Sequence, residues 1–153
     1  MLIGVVFVGA LICSRYWFRV MWIHGDSMYP TYHDCQLVLL DVRERDYSYG
    51  DIIAFDCPAL QSVLVKRIVG CPGDRIKIYD GRLYRNGEIC VSPIHSAIDY
   101  AGIAEREIVL GQEEYFVLGD NVAESRDSRY EEVGAVGKAQ IIGCVLQIQE
   151  QLG

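Results

Sequence analysis

The chain has 153 residues, of which 51% are hydrophobic, and a net charge of −7. That length suits one domain with a true hydrophobic core, and the apolar share excludes a disordered chain. The acidic balance argues against nucleic acid as a partner, because phosphates demand a basic footprint and no Lys/Arg block stands out.

The first predicted element is apolar. Leu2 to Cys13 (LIGVVFVGALIC) is short for a membrane span, but the pattern continues through Tyr16, Trp17, Phe18, Val20, Met21, Trp22 and Ile23. A helix from Leu2 to Ile23 would be roughly 33 Å long, about one bilayer core. Trp17, Trp22 and Tyr16 suit an interfacial aromatic belt, and Arg15 and Arg19 could snorkel at the far interface. A cleaved signal peptide would need a basic start and an A-x-A site, and a lipoprotein signal would need small residues before Cys13, where Leu11 and Ile12 stand. A buried core helix is the remaining alternative. Residues 1–23 are therefore expected to form one transmembrane anchor, and residues 24–153 a folded domain. The arginines follow the apolar run, so charge does not fix the orientation.

After residue 25 helical periodicity ends. Short apolar runs follow one another: QLVLL, DIIAF, SVLVKRIV, RIKIY, RLYRNGEI, EYFVLGD and QIIGCVLQI. They are rich in Val, Ile and Tyr, and are broken by Gly, Asp, Asn and Pro. The pattern predicts a mainly β domain, compact and antiparallel. Tyr79-Asp80-Gly81-Arg82 and Arg85-Asn86-Gly87-Glu88 read as tight hairpin turns. Pro93 to Glu107 reads as a surface loop with one short helical turn.

Three segments could carry chemistry. Gly25-Asp26-Ser27-Met28-Tyr29-Pro30-Thr31 is a turn in which Gly25 permits close backbone approach and Pro30 stiffens the chain. A serine in such a turn more often caps or connects than reacts. To act as a nucleophile, Ser27 needs a base. No Ser-His-Asp constellation is evident, with His24 beside the serine and His33 and His95 in loops. Lys66 is the better candidate. Strand alternation places it on one face with Leu64 and Ile68, and Arg67 on the other. Desolvation on an apolar face would lower its amine from ~10.4 toward neutrality. An edge lysine reaching solvent is the plain alternative. The third segment, Gly119 to Arg129 (GDNVAESRDSR), reads by itself as a hydrophilic loop.

Among the six cysteines there is no CxxC pair, and the histidines lie at no zinc-ligand spacing, so neither a metal nor another cofactor is expected. Cys13 belongs to the leader. Cys71 and Cys90 flank a predicted hairpin and could pair, or could be buried as free thiols.

Taken together, GDSMYPT, GDIIAF, VKRIVGCPGD and GDNVAESRDSR, in that order after an apolar start, resemble bacterial type I signal peptidases, peptidase family S26, and in particular their short Gram-positive form. The resemblance runs from about Ile23 to Gly143. It implies an antiparallel β catalytic domain behind one N-terminal transmembrane helix. It also implies that Ser27 is the acylating nucleophile, Lys66 its general base and Ser125 the group that orients the amine. Asp120, Asp127 and Arg129 match the ends of the last motif. We expect Asp120 to pair with Arg67, and Asp127 with Arg129. The oxyanion donor implied is the backbone N–H of Ser27, since Gly25 stands where some relatives carry a serine hydroxyl. Substrates would be the signal peptides of exported preproteins, cut after small residues of Ala-x-Ala type. They would lie extended along Leu64 and Val65, with Ile23, Ala54 and Val65 forming shallow apolar pockets. The resemblance places the protein in the plasma membrane as a single-pass monomer in contact with lipid, with its catalytic domain on the extracytoplasmic face. The nearest rival is the Ser–Lys self-cleaving repressor family, which shares GDSM and VKR segments but lacks an apolar leader. A rival of another class is an inactive, membrane-tethered β module.

Overall fold

The computed structural model describes residues 17–90, 94 and 96–146. Its main sheet has seven strands: β1 (Phe18–Trp22), β2 (Leu37–Asp41), β3 (Ile52–Cys57), β4 (Ser62–Gly70), β9 (Glu114–Leu118), β10 (Val136–Gly137) and β11 (Ile141–Val145), in the order β1-β2-β11-β3-β4-β9-β10. All its pairings are antiparallel. Strand β3 is its centre. Ile52 and Ala54 join a core with Ile23, Met28, Val38 and Val65, while Ile53 and Phe55 join another with Ile68, Tyr115 and Val117. A strand buried on both faces reads as an unbroken apolar run rather than an alternation, and IIAF is such a run. Each fully buried Ile or Phe here contributes about 1.5–3 kcal/mol relative to exposure.

A second sheet has the order β7-β6-β5-β8, from β5 (Arg75–Tyr79), β6 (Arg82–Arg85), β7 (Glu88–Ile89) and β8 (Ile108–Val109). Both predicted hairpin turns are present. Asp80 and Gly81 have φ of 49° and 69°, and Asn86 and Gly87 have 55° and 85°, the left-handed pairs that two-residue hairpins require. Asp74 ties this sheet to the end of β4. It accepts from the Cys71 N–H (2.8 Å), Arg85 Nε (2.6 Å) and Asn86 Nδ2 (2.7 Å). Cys71 and Cys90 are both free thiols, so the pairing between them is not made. The expected helical turn after Pro93 is the 3-10 segment Gly102–Glu105.

The expected helix from Leu2 to Ile23 does not hold over its last third. Phe18 to Trp22 is strand β1, paired residue for residue with β2 from Phe18↔Asp41 to Trp22↔Leu37. The reason is visible in the ribbon. Met21 packs toward the core beside Val38, yet the opposite face carries Val20, Trp22 and Leu37, which are 60%, 57% and 51% exposed. With apolar residues on both faces, the period-2 signal that betrays a half-buried strand is lost, and the run merges with the apolar leader. Residues 1–16, where the rest of the anchor was expected, lie outside the described residues. Among the described residues no helix is long and apolar enough to cross a membrane.

Candidate active site

The turn that carries Ser27 follows β1 directly. Gly25 has φ of 78°, a conformation that favours glycine, and its N–H donates to Asp34 Oδ1 at 2.7 Å. No atom approaches within 4 Å of where its Cβ would be, so conformation rather than close approach is what requires glycine there. The Tyr29-Pro30 peptide is cis. Ser27 is half-buried, and Lys66 Nζ lies 2.7 Å from its Oγ and 3.0 Å from the Val65 carbonyl oxygen. Lys66 is only 3% exposed. Burial pushes its amine down to about 8, against the carboxylates of Asp127 and Asp120, which hold it up. A neutral amine can accept the Oγ proton across this contact, whereas an ammonium can only donate to the oxygen. Near pH 8 both forms are populated, as a general base requires.

Both expected ion pairs are present and buried. Arg67 Nε and Nη2 contact Asp120 Oδ1 and Oδ2 at 2.7 and 2.6 Å. Arg129 Nε and Nη2 contact Asp127 Oδ1 and Oδ2 at 2.8 and 3.0 Å. The first pair reaches the turn that carries Ser27, since Thr31 Oγ1 donates to Asp120 Oδ2 at 2.5 Å. The second fixes the last motif upon itself, with Arg129 donating to the Val122 and Ser125 carbonyls and Asp127 accepting from the Gly119 N–H. A Cβ on Gly119 would collide with Ser125 Oγ and stand 2.5 Å from the Ser27 carbonyl oxygen, so only glycine lets the motif press against the Ser27 backbone.

Ser125 is brought to this point but does not make the expected contact. Its Oγ is buried and has no hydrogen-bond partner among the described residues. The amine spends its contacts on Ser27 and on the Val65 carbonyl instead.

A cleft of about 370 Å³ opens on Ser27 and Lys66, lined by Met21 to His24, Ser27 and Met28 on one side and Ser62 to Lys66 on the other. Ile23, Leu64 and Val65 line it, as expected. Ala54 does not: it is fully buried beneath the cleft, paired with Val65 in the β3–β4 register, and belongs to the core. The cleft lining also includes Trp22, hidden in the sequence because β1 merges with the apolar leader, and His24, Met28 and Val63, which no motif marks as lining. Sequence reasoning also gave Thr31 and Asn121 no part. Their positions inside the first and last motifs were the only signal. A wider groove of about 800 Å³ lies over the small sheet, from Ile78 to Gly81 and Tyr130 to Glu132, and contains none of these residues. Among the described residues no cluster of side chains is suited to hold a metal ion.

The family model described as "Signal peptidase, peptidase S26" matches residues 1–148. Signal peptidase I S of Bacillus subtilis is 31% identical, over 92% of this chain and 82% of its own. Signal peptidase I of Bacillus licheniformis is 30% identical, over 88% of this chain and 77% of its own. The crystal structure of a signal peptidase I from Enterococcus faecalis superposes with a TM-score of 0.52 at 29% identity, covering 69% of this chain and all of that one. The mainly antiparallel β architecture is thus shared with a signal peptidase I. With the family model covering nearly the whole sequence, the chain belongs to the signal peptidase family, peptidase S26, and is a serine peptidase.

Proposed function

We propose that the protein is a membrane-bound endopeptidase that removes signal peptides from exported preproteins, with Ser27 as nucleophile and Lys66 as general base. The observation that carries this reading is the 2.7 Å contact between a buried lysine amine and the Ser27 hydroxyl. Lys66 takes the Oγ proton as Ser27 attacks the scissile carbonyl. The backbone N–H of Ser27 receives the oxyanion, and the ammonium returns the proton to the leaving amine. Water then releases the acyl group by the same route. Ser125 is the group we assign to steady the amine once Oγ has turned to the substrate. An orphaned buried hydroxyl costs about 1–3 kcal/mol, and a partner in the reacting complex would relieve that cost.

Two open strand edges support the substrate mode. Among the described residues, strand β4 pairs with β3 from Ser62 to Arg67 but with β9 only from Arg67 onward, and β1 pairs only with β2. An extended peptide in the cleft between them would satisfy both edges. The cleft is lined by the apolar side chains of Ile23, Met28 and Val65, and we assign to them shallow pockets that suit alanine and exclude large side chains. That is the basis for cutting after Ala-x-Ala.

The bilayer reading is supported by the apolar sequence of residues 1–16 and by the apolar outer face of the β1–β2 ribbon. The catalytic domain is assigned to the extracytoplasmic face of the plasma membrane, where exported preproteins emerge. We assign no nucleic acid and no cofactor to the reaction, and expect a monomer.

The test is cleavage of a preprotein with an Ala-x-Ala junction by purified protein in detergent, with Ser27→Ala and Lys66→Ala alongside. Only the parent protein should cut, and only where the two alanines stand. If either variant cleaves like the parent, the dyad is wrong.

A further inference from the structure

Building on the reading of Ser27 as nucleophile, we propose that Asn121 is a positioning residue that aims the oxyanion donor of the nucleophile turn. Asn121 reaches across 95 residues to hold both peptide groups of the serine. Its Nδ2 donates to the Asp26 carbonyl oxygen at 3.1 Å, and its backbone N–H donates to the Ser27 carbonyl oxygen at 3.0 Å.

The first of these bonds matters for catalysis because of peptide geometry. The Asp26 C=O and the Ser27 N–H belong to one planar, trans unit, so they point in opposite directions. A donor that fixes the carbonyl therefore fixes the direction of the N–H. Among the described residues the Ser27 N–H has no acceptor, as a donor kept for an oxyanion should not. The second bond fixes the next peptide plane, on the other side of the Ser27 Cα. Together they leave the nucleophile's backbone little freedom to rotate.

An asparagine in a loop commonly bonds its own backbone two residues on. Here the side-chain amide is directed instead to the nucleophile turn, and the local turn is closed by the Glu124 N–H to the Asn121 carbonyl. Gly119, two residues earlier, is pressed so close to Ser27 O and Ser125 Oγ that a Cβ would not fit. The whole Gly119–Asn121 segment thus acts as a backing plate for the serine. Asp120 ties it to Arg67 and Thr31, and Asn121 ties it to the oxyanion peptide.

Loss of this bond should weaken transition-state stabilisation and leave ground-state binding intact. Removing an oxyanion donor outright costs about 10²–10³ in kcat. Misaiming one should cost less, roughly tenfold. The experiment measures kcat, KM and the pH profile for Asn121→Ala and Asn121→Asp on a preprotein substrate, with inhibition by a peptide aldehyde whose adduct places its oxygen in the same hole. Asn121→Asp keeps the side-chain volume and the backbone donor but cannot donate to the Asp26 carbonyl, so it serves if alanine loosens the fold. Both variants should lose roughly tenfold in kcat and in aldehyde affinity, with KM within about twofold. In Asn121→Ala, which adds no charge, the ascending limb near 8 should not move. Wild-type kcat in Asn121→Asp overturns the proposal, as does a loss confined to KM or a displaced limb in Asn121→Ala, which would assign the residue to substrate or to Lys66. Ser27→Ala runs in parallel. If it still cleaves, the nucleophile reading has failed; if it is dead while both Asn121 variants match the parent, only the positioning role has failed.

Discussion

Lys66 holds an amine in a place where an ammonium is poorly solvated, and two measurable effects follow. Its folded-state value, about 8, lies below the ordinary lysine value of 10.5. Between those two values the unfolded chain binds more protons than the folded one, so stability rises with pH across that window. Below about 8 the full penalty is present, on the order of 3 kcal/mol at ~1.36 kcal/mol per pKa unit. Lys66→Met, which keeps the stem and removes the charge, should abolish cleavage and raise the melting temperature at pH 7. Its advantage should fade as pH approaches 10.5; a variant no more stable than the parent at pH 7 would mean the amine is better solvated than its burial implies. Ser125→Ala bears on the neighbouring group. Its hydroxyl has no partner among the described residues, so its removal should raise stability by about 1–3 kcal/mol while kcat falls. An unchanged kcat would leave Ser125 without a part in turnover. At this scale the sequence was informative about residue types and silent about bonds. Ser27, Lys66 and the two ion pairs could be read from motifs and strand alternation. The Asn121 bond could not, because it joins loops 95 residues apart.

The elements are held in register around the site by buried charge. Arg67 on β4 and Asp120 after β9 form a bidentate pair with side chains 9% and 4% exposed, and Thr31 joins them from the nucleophile turn. Removing one partner strands the other charge in the interior. Arg67→Met should therefore cost about 3–5 kcal/mol, whereas Arg67→Met with Asp120→Leu should recover much of that stability. Activity should stay low in both, because Thr31 loses its anchor. Denaturant unfolding beside a cleavage assay separates the two effects. Additive losses in the double variant would show that the two side chains are not coupled, against the buried-pair account. The strands with clear edges were legible in the sequence: SVLVKRIV, RIKIY and the two hairpin turns are found where their patterns put them. Strand β1 was not, since its outer face is apolar and its other face mixes Arg19 with Met21, which leaves no apolar-in, polar-out alternation. Short pairings such as β8 and β10 were not, because two residues carry no period. Ala54 was misplaced for a related reason: in a run buried on both faces, sequence does not say which side faces the cleft.

For the whole molecule, the proposed membrane contact bears on the outer face of the β1–β2 ribbon. An antiparallel ribbon facing water normally alternates apolar-in and polar-out, and β1–β2 does not. Val20 and Leu37 lie on its outer face, away from the cleft lining. Val20→Ser with Leu37→Ser should weaken binding to lipid vesicles several-fold and leave hydrolysis of a short soluble peptide near the parent rate. Equal vesicle binding would assign membrane contact to other segments. The chemistry itself is tested most directly by kcat/KM against pH, from about 6 to 11, on a substrate without titrating groups in that range. The account predicts a single ascending limb near 8, set by the desolvated amine of Lys66, and a plateau above it. A limb near the ordinary lysine value of 10.5, or one in the histidine range near ~6.5, would contradict Lys66 as the base.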